Sequence, residues 1–197
     1  MANKKKLLKG LKNIHFAPFT GGSFETPVRI DNAKSIEAAL KYENDPTWAD
    51  DIMVADEFEY AGGEGKMSIL GLSKEEYETL FGAKIVKGGI VANTNDRSPE
   101  GAFLFERGKK GSNAKRLYVI YACKCSPAGI SAEGVEEGKG EVGTDEIEFS
   151  VGSMANGDIY HFIDTDDATV DAEAVTKWYE EVQMPSDVAV AKQLKTK

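Results

Sequence analysis

Chemistry-bearing residues are scarce in this 197-residue sequence, which has two cysteines, Cys123 and Cys125, and two histidines, His15 and His161. The cysteines stand two apart in an apolar run that reads as a strand. They therefore face the same way, are poorly placed to bridge each other, and are expected to be ordinary buried thiols. Neither histidine has a Cys, His or carboxylate at the spacing of a zinc site or a catalytic triad, and each reads as a strand residue satisfied by its neighbours. No metal, no cofactor and no enzymatic activity is expected. Long apolar runs are missing too. Nothing approaches the roughly 18 apolar residues of a membrane span, and Leu7 and Leu8 give way to Lys9 and Gly10 before a signal-peptide core could form. The chain is expected to be soluble and made in the cytosol. Basic residues are outnumbered, 24 Lys and Arg against 33 Asp and Glu, for a net charge of −9. That balance argues against nucleic-acid binding by the bulk surface, because affinity for phosphate backbones rests on basic side chains that release counterions. The basic residues are also uneven, with Lys4, Lys5, Lys6, Lys9 and Lys12 crowded into the first twelve positions.

A hydrophobic fraction of 41% suffices for a real core. The expected organisation is a basic arm over 1–12, one β-sandwich or barrel domain with a flanking helix over 13–184, and a polar tail over 185–197. The stretch 55–82 declares its local structure most clearly. Phe58 and Tyr60 share one face of a strand and Glu57 and Glu59 the other, so one face is read as buried and one as wet. Gly62, Gly63 and Gly65 then read as a hairpin turn leading to a second strand, Met67 to Leu72. Ser73 and Glu76 form a capping box, Leu72 and Tyr77 a hydrophobic staple, and Gly82 ends a two-turn helix.

Elsewhere, Ile14 and Phe16 begin a short strand that stops near Pro18. Ile36 to Tyr42 alternates with Glu37, Ala39 and Lys41, and Glu146 to Val151 sets Glu146 and Glu148 against Ile147 and Phe149. Glu43 to Asp51 has no period and reads as a solvated loop carrying Trp48. That tryptophan either folds over its own core edge or fills a pocket on a neighbouring subunit. Ala102 to Glu106 and Arg116 to Cys125 flank a turn, and the second arm is apolar on both faces, as a strand covered on both sides would be. Gly134 to Gly143 reads as a loop, and Asn156-Gly157 as a type I′ turn into Ile159 to Ile163. Asp171 caps a second helix with the stripe Val175, Trp178, Tyr179 and Val182, ended by Pro185.

Two stretches imitate binding motifs without completing them. GGEGKMS has Met67 where a phosphate loop needs Ser or Thr, and Tyr60 where its first Gly belongs. Asp164, Asp166 and Asp167 start like a calcium loop, but Ala168 occupies the next ligand position, Thr169 the turn-glycine position and Val175 that of the closing bidentate Glu, so a solvated acidic turn is expected.

In this order, the Ile36 to Tyr42 strand, the SKEEYETLFG helix ending in Leu80-Phe81-Gly82, and Ser98-Pro99 before Gly101 to Glu106 make up a pattern. The Leu117 to Cys125 strand with its KC-S-P continuation, TDEIEFSV from Thr144, and Asn156-Gly157-Asp158 complete it over about two thirds of the chain. The pattern resembles the major tail protein, or tail tube protein, of long-tailed phages of the phi13 type. The resemblance implies a β-sandwich-like barrel whose copies form hexameric rings stacked into a hollow tube. The tube encloses a tape measure protein, meets terminator and tail-tip proteins, and passes viral DNA without binding it or a membrane. It implies a virion location and a structural role. On that reading Glu37, Glu57, Glu59, Glu146 and Glu148 are candidate lumen residues, and Lys4, Lys5, Lys6, Trp48, Asp50 and Asp51 candidate inter-subunit residues. The alternative is a tail-associated or carbohydrate-binding β-sandwich module.

Overall fold

Apolar and polar residues alternate through most of the chain, and the computed structural model, which describes residues 7–127, 129–130, 132 and 143–185, is accordingly mainly β. The strands are β1 (Leu8–Thr20), β2 (Ser23–Phe24), β3 (Val28–Arg29), β4 (Ala33–Ala49), β5 (Ile52–Ile69), β6 (Lys84–Val86), β7 (Gly89–Val91), β8 (Glu100–Lys109), β9 (Lys115–Cys125), β10 (Asp145–Val151) and β11 (Tyr160–Asp164). Two short helices, α1 (Lys74–Phe81) and α2 (Ala172–Lys177), complete the fold. Nine strands form one antiparallel sheet in the order β2-β1-β8-β9-β10-β5-β4, with β3 added to β1 and β11 to β9, while β6 and β7 pair separately.

The sheet curls, because strands far apart in that order meet in one core. Ile14 and Phe16 of β1 join Phe103 of β8, Cys123 of β9, Phe149 of β10 and Met67 of β5 in a single buried cluster, closed by Leu80 and Phe81 of α1. Phe103 lies 4.9 Å from Phe16 and 4.8 Å from Phe149, ring centre to ring centre. Full burial of each such ring contributes about 1.5–3 kcal/mol. A second cluster covers the opposite face of β8 and β9, where Leu104, Leu117, Val119 and Tyr121 pack against Trp178. The stripe Val175, Trp178, Tyr179 and Val182 supplies that cover.

β9 is apolar on both faces because it serves both cores. Leu117, Val119 and Tyr121 belong to the outer cluster, but Cys123 and Cys125 belong to the inner one. Ala122, at φ 48°, makes the change of parity. The kink also divides one edge of β9 between two partners, β11 along Arg116 to Ile120 and β10 along Cys123 to Cys125.

Several expectations need correction. Gly62 to Gly65 is not a turn: β5 runs straight through it as part of an 18-residue strand. Gly65 is there for close approach, since a Cβ would stand 2.3 Å from Phe149 Cζ and 2.6 Å from the Glu37 carbonyl oxygen. Gly62, at φ 98°, sits in a bulge where β5 gains a residue on β4. The loop expected at Glu43 to Asp51 is strand, and the reversal falls at Asp50-Asp51, both at positive φ (52° and 61°), as a two-residue hairpin turn requires. Pro46 inside β4 disguised this strand, and it is tolerated because β4 is the sheet edge. β1 starts at Leu8, so Lys9 and Lys12 of the expected arm are strand residues paired with β8. Only Gly157 of Asn156-Gly157 has positive φ, so that turn is not type I′. α2 ends at Lys177, well before Pro185. The capping box at Ser73 and Glu76 and the αL stop at Gly82 are as expected. The loop 134–142 and the tail from 186 lie outside the described residues.

Candidate assembly surface

Beyond the bulge at Gly62, β4 and β5 leave the body as a two-stranded arm. From Tyr42 to Glu59 every residue except Pro46 is exposed. Register decides what each face of the arm carries. Ile36, Ala38 and Leu40 of β4 pack on the inner core, and Tyr42, Asn44, Pro46 and Trp48 continue the same parity outward. Their partners on β5 are Tyr60, Phe58, Asp56 and Met53. The core-facing side of the sheet therefore runs on past the core with nothing over it: Trp48 is 63% exposed and Phe58 66%. Tyr42 and Tyr60 meet at 5.6 Å where the arm leaves the body, and the Tyr60 hydroxyl donates to the Val151 carbonyl at 2.8 Å, anchoring the root.

The other face of the arm is acidic. Glu43 stands directly opposite Glu59 and Asp45 opposite Glu57, cross-strand carboxylate pairs that repel. With Asp50 and Asp51 at the tip and Asp56, the arm holds seven carboxylates and no Lys or Arg between Tyr42 and Glu59. The alternation at Phe58 and Tyr60 predicts a buried apolar face, but Phe58 lies exposed because the sheet extends past the core there. Trp48 does not fold back over its own core edge. The signal that could have located the arm is Asp-Asp, two residues tolerant of positive φ, between two stretches of matching length.

Glu37, Glu146 and Glu148 come together on the outer face of β4, β5 and β10, but Glu57 and Glu59 lie out on the arm. That outer face is not purely acidic. Lys66 is in register with Glu37 on one side and Glu148 on the other, with its ammonium 3.5 Å from Glu37, and Lys41 reaches Glu64 at 2.6 Å. These exposed pairs contribute little stability, about 0–1 kcal/mol each. They do set the charge: Glu37, Glu64, Glu146 and Glu148 stand against Lys41 and Lys66, with Lys124 of β9 in register with Ser150 beside them. Glu37, Glu64, Lys66, Glu148 and Ser150 line a shallow concavity of about 800 Å³ there. Lys4, Lys5 and Lys6 lie outside the described residues.

Other titratable groups serve the fold. Asp164 and Asp166 are not merely a solvated turn: the buried Lys109 ammonium binds both, at 3.1 Å from Asp164, and Arg116 donates twice to Asp164 at 2.8 Å. The Arg116 guanidinium holds the Asp164 carboxyl below its ordinary range. Burial pushes the Cys125 thiol up to about 12 and raises that of Cys123, so neither is a nucleophile at neutral pH. His15 stacks on Tyr179 at 4.5 Å and hydrogen-bonds through Nδ1 to the Asn13 carbonyl at 2.9 Å. Among the described residues no group of three or more His, Cys, Asp or Glu could hold a metal ion, and no helix is long and apolar enough to cross a membrane.

No family model and no curated protein matches the chain.

Proposed function

We propose that this protein is a structural subunit of a phage tail tube, a major tail protein that assembles into stacked hexameric rings. The observation that carries the reading is the uncovered apolar face of the arm, continuous with the core face and bearing Trp48 and Phe58 at its surface. An isolated chain gains nothing from holding such a face in water, whereas a neighbouring subunit that covers it removes that area from solvent. The arm's charge favours a head-to-tail contact, because two arms packed apolar face to apolar face would bring together the Asp56 carboxylates of both on arms that carry no cation. Head-to-tail contacts close into rings or propagate into filaments. On this reading the outer face with Glu37, Glu146 and Glu148 borders the lumen. Its modest acidic excess, within a Debye length of about 8–10 Å, discourages DNA phosphates from adhering while leaving passage free. The tape measure, terminator and tail-tip proteins are the further partners, and the virion tail is the location.

A second reading is favoured by the same side chains: Tyr42, Trp48 and Phe58 on one flat strand face suit a tail-associated carbohydrate-binding module. Negative-stain electron microscopy of the purified chain, dilute and concentrated, separates the two. Rings or hollow tubes with sixfold symmetry support the tube. A closed dimer or trimer that binds glycans, with binding lost in Trp48→Ala, supports the module.

A further inference from the structure

The arm needs an acceptor, and the exposed apolar side chains elsewhere on the body restrict the choice. We infer that the apolar face of the arm of one copy docks on an aromatic lip formed by β8, β9 and β11 of a second copy, an inference that rests on the assembly reading above. In the lip, Phe105, Tyr118 and Phe162 stand in one cross-strand row. Phe105 and Tyr118 stack at 4.9 Å, and Tyr118 meets Phe162 at 5.8 Å. Tyr160, in the next row opposite Ile120, is 52% exposed, and Phe162 is 39% exposed. The row is the rim of the inner core, left open because β11 is the last strand along that part of the sheet.

Charge selects this lip. Arg107 and Arg116 face each other in the row beside the aromatics, and the Arg116 guanidinium carbon lies 4.2 Å above the Phe162 ring. Arg116 is neutralised by Asp164, but Arg107 has no carboxylate partner among the described residues. The arm has no cation, and Asp56 on its apolar face, with Asp50 and Asp51 at the tip, brings the carboxylates that Arg107 lacks. Another exposed apolar patch, Val28 with Leu70, offers no free cation: Arg29 pairs with Asp31, Lys74 pairs with Glu75, and Glu76 adds a further carboxylate of the arm's sign. Reach is sufficient: the eight residues from Tyr42 to Ala49 extend about 25 Å at about 3.3 Å per residue. Docking covers Trp48 and Phe58 with aromatic surface and pairs Arg107 with an arm carboxylate.

Two variants of the full chain test this by mixing. Trp48→Glu with Phe58→Glu removes the arm and keeps the lip, while Tyr160→Glu with Phe162→Glu removes the lip and keeps the arm. Arg107→Glu is a milder lip variant, and circular dichroism checks the fold of each. By sedimentation velocity the wild-type chain associates with rising concentration, and each variant alone associates at least about tenfold more weakly. The equimolar mixture forms a heterodimer and nothing larger, since it holds one intact arm and one intact lip per pair. Wild-type association by the Arg107→Glu and lip variants, a mixture that stays monomeric, or a wild-type chain monomeric to about 1 mM each overturns the docking. The tube reading fails separately. A heterodimer from the mixture with no sixfold rings from the wild type leaves the docking and removes the tube, and tubes built by the lip variants do the reverse.

Discussion

Phe58 and Phe149 are both strand phenylalanines in alternating sequence, and truncating each to alanine tests whether the arm stands free of its own body. Phe58 is 66% exposed, so folding buries only about a third of its side chain. Full burial of a phenylalanine contributes about 1.5–3 kcal/mol, and a third of that is about 0.5–1 kcal/mol. Phe149 is 2% exposed, packs on Phe103 at 4.8 Å and closes over Gly65. Its removal leaves a cavity and costs about 3–5 kcal/mol. Urea unfolding of the monomeric chain, followed by far-ultraviolet circular dichroism with the slope held constant, measures both. The expected result is a loss of no more than about 1 kcal/mol for Phe58→Ala and several times that for Phe149→Ala. A cost of about 2 kcal/mol or more for Phe58→Ala would mean that the arm packs on its own body, and the assembly argument built on its uncovered face would fail. The expected small cost also makes Phe58 and Trp48 variants safe probes of association.

Three further outcomes follow from the packing. Glu76 accepts from the Ser73 amide at 2.7 Å and from the Asp31 amide at 2.9 Å, so Glu76→Ala should cost about 2–4 kcal/mol in urea unfolding, Glu76→Gln roughly half that, and Glu75→Ala under about 0.5. Gly65→Ala should destabilise by about 1–3 kcal/mol despite better strand propensity, because its Cβ meets Phe149 and the Glu37 carbonyl; an unchanged or raised melting temperature would refute the close-approach account. His15 and His161 are held below their ordinary value of 6.5 by burial, so the unfolded chain takes up protons first. Their contribution is complete above 6.5 and is lost as pH falls below it; thermal melts should show this decline, and the double variant His15→Gln, His161→Gln should flatten it.

Local signals were decisive where local physics governs. Ser73, Glu76 and Gly82 specify α1 because caps are satisfied within a few residues, and Ile147, Phe149 and Val151 specify β10 because period two needs only one buried face. The acidic character of Glu57 and Glu59 and the inert thiols of Cys123 and Cys125 were legible on the same grounds. Tertiary structure decided the rest. An alternating strand pattern states that one face is apolar, but not whether a neighbour covers it. Phe149 and Phe58 obey the same rule, and only the curl of the sheet, which closes over one and ends before the other, distinguishes them. Likewise Gly65 reads as a turn residue until Phe149 is placed against it, and Pro46 reads as a loop residue until β4 is placed at the sheet edge. Lys66 between Glu37 and Glu148 became visible only with the register, since cross-strand neighbours are far apart in the chain. Composition and periodicity settled which residues want burial and where helices start and stop, because those are properties of a few adjacent residues. The arm, the lip and the charge of each face depend on which strands pair and where pairing ends, and the folded sheet alone determined them.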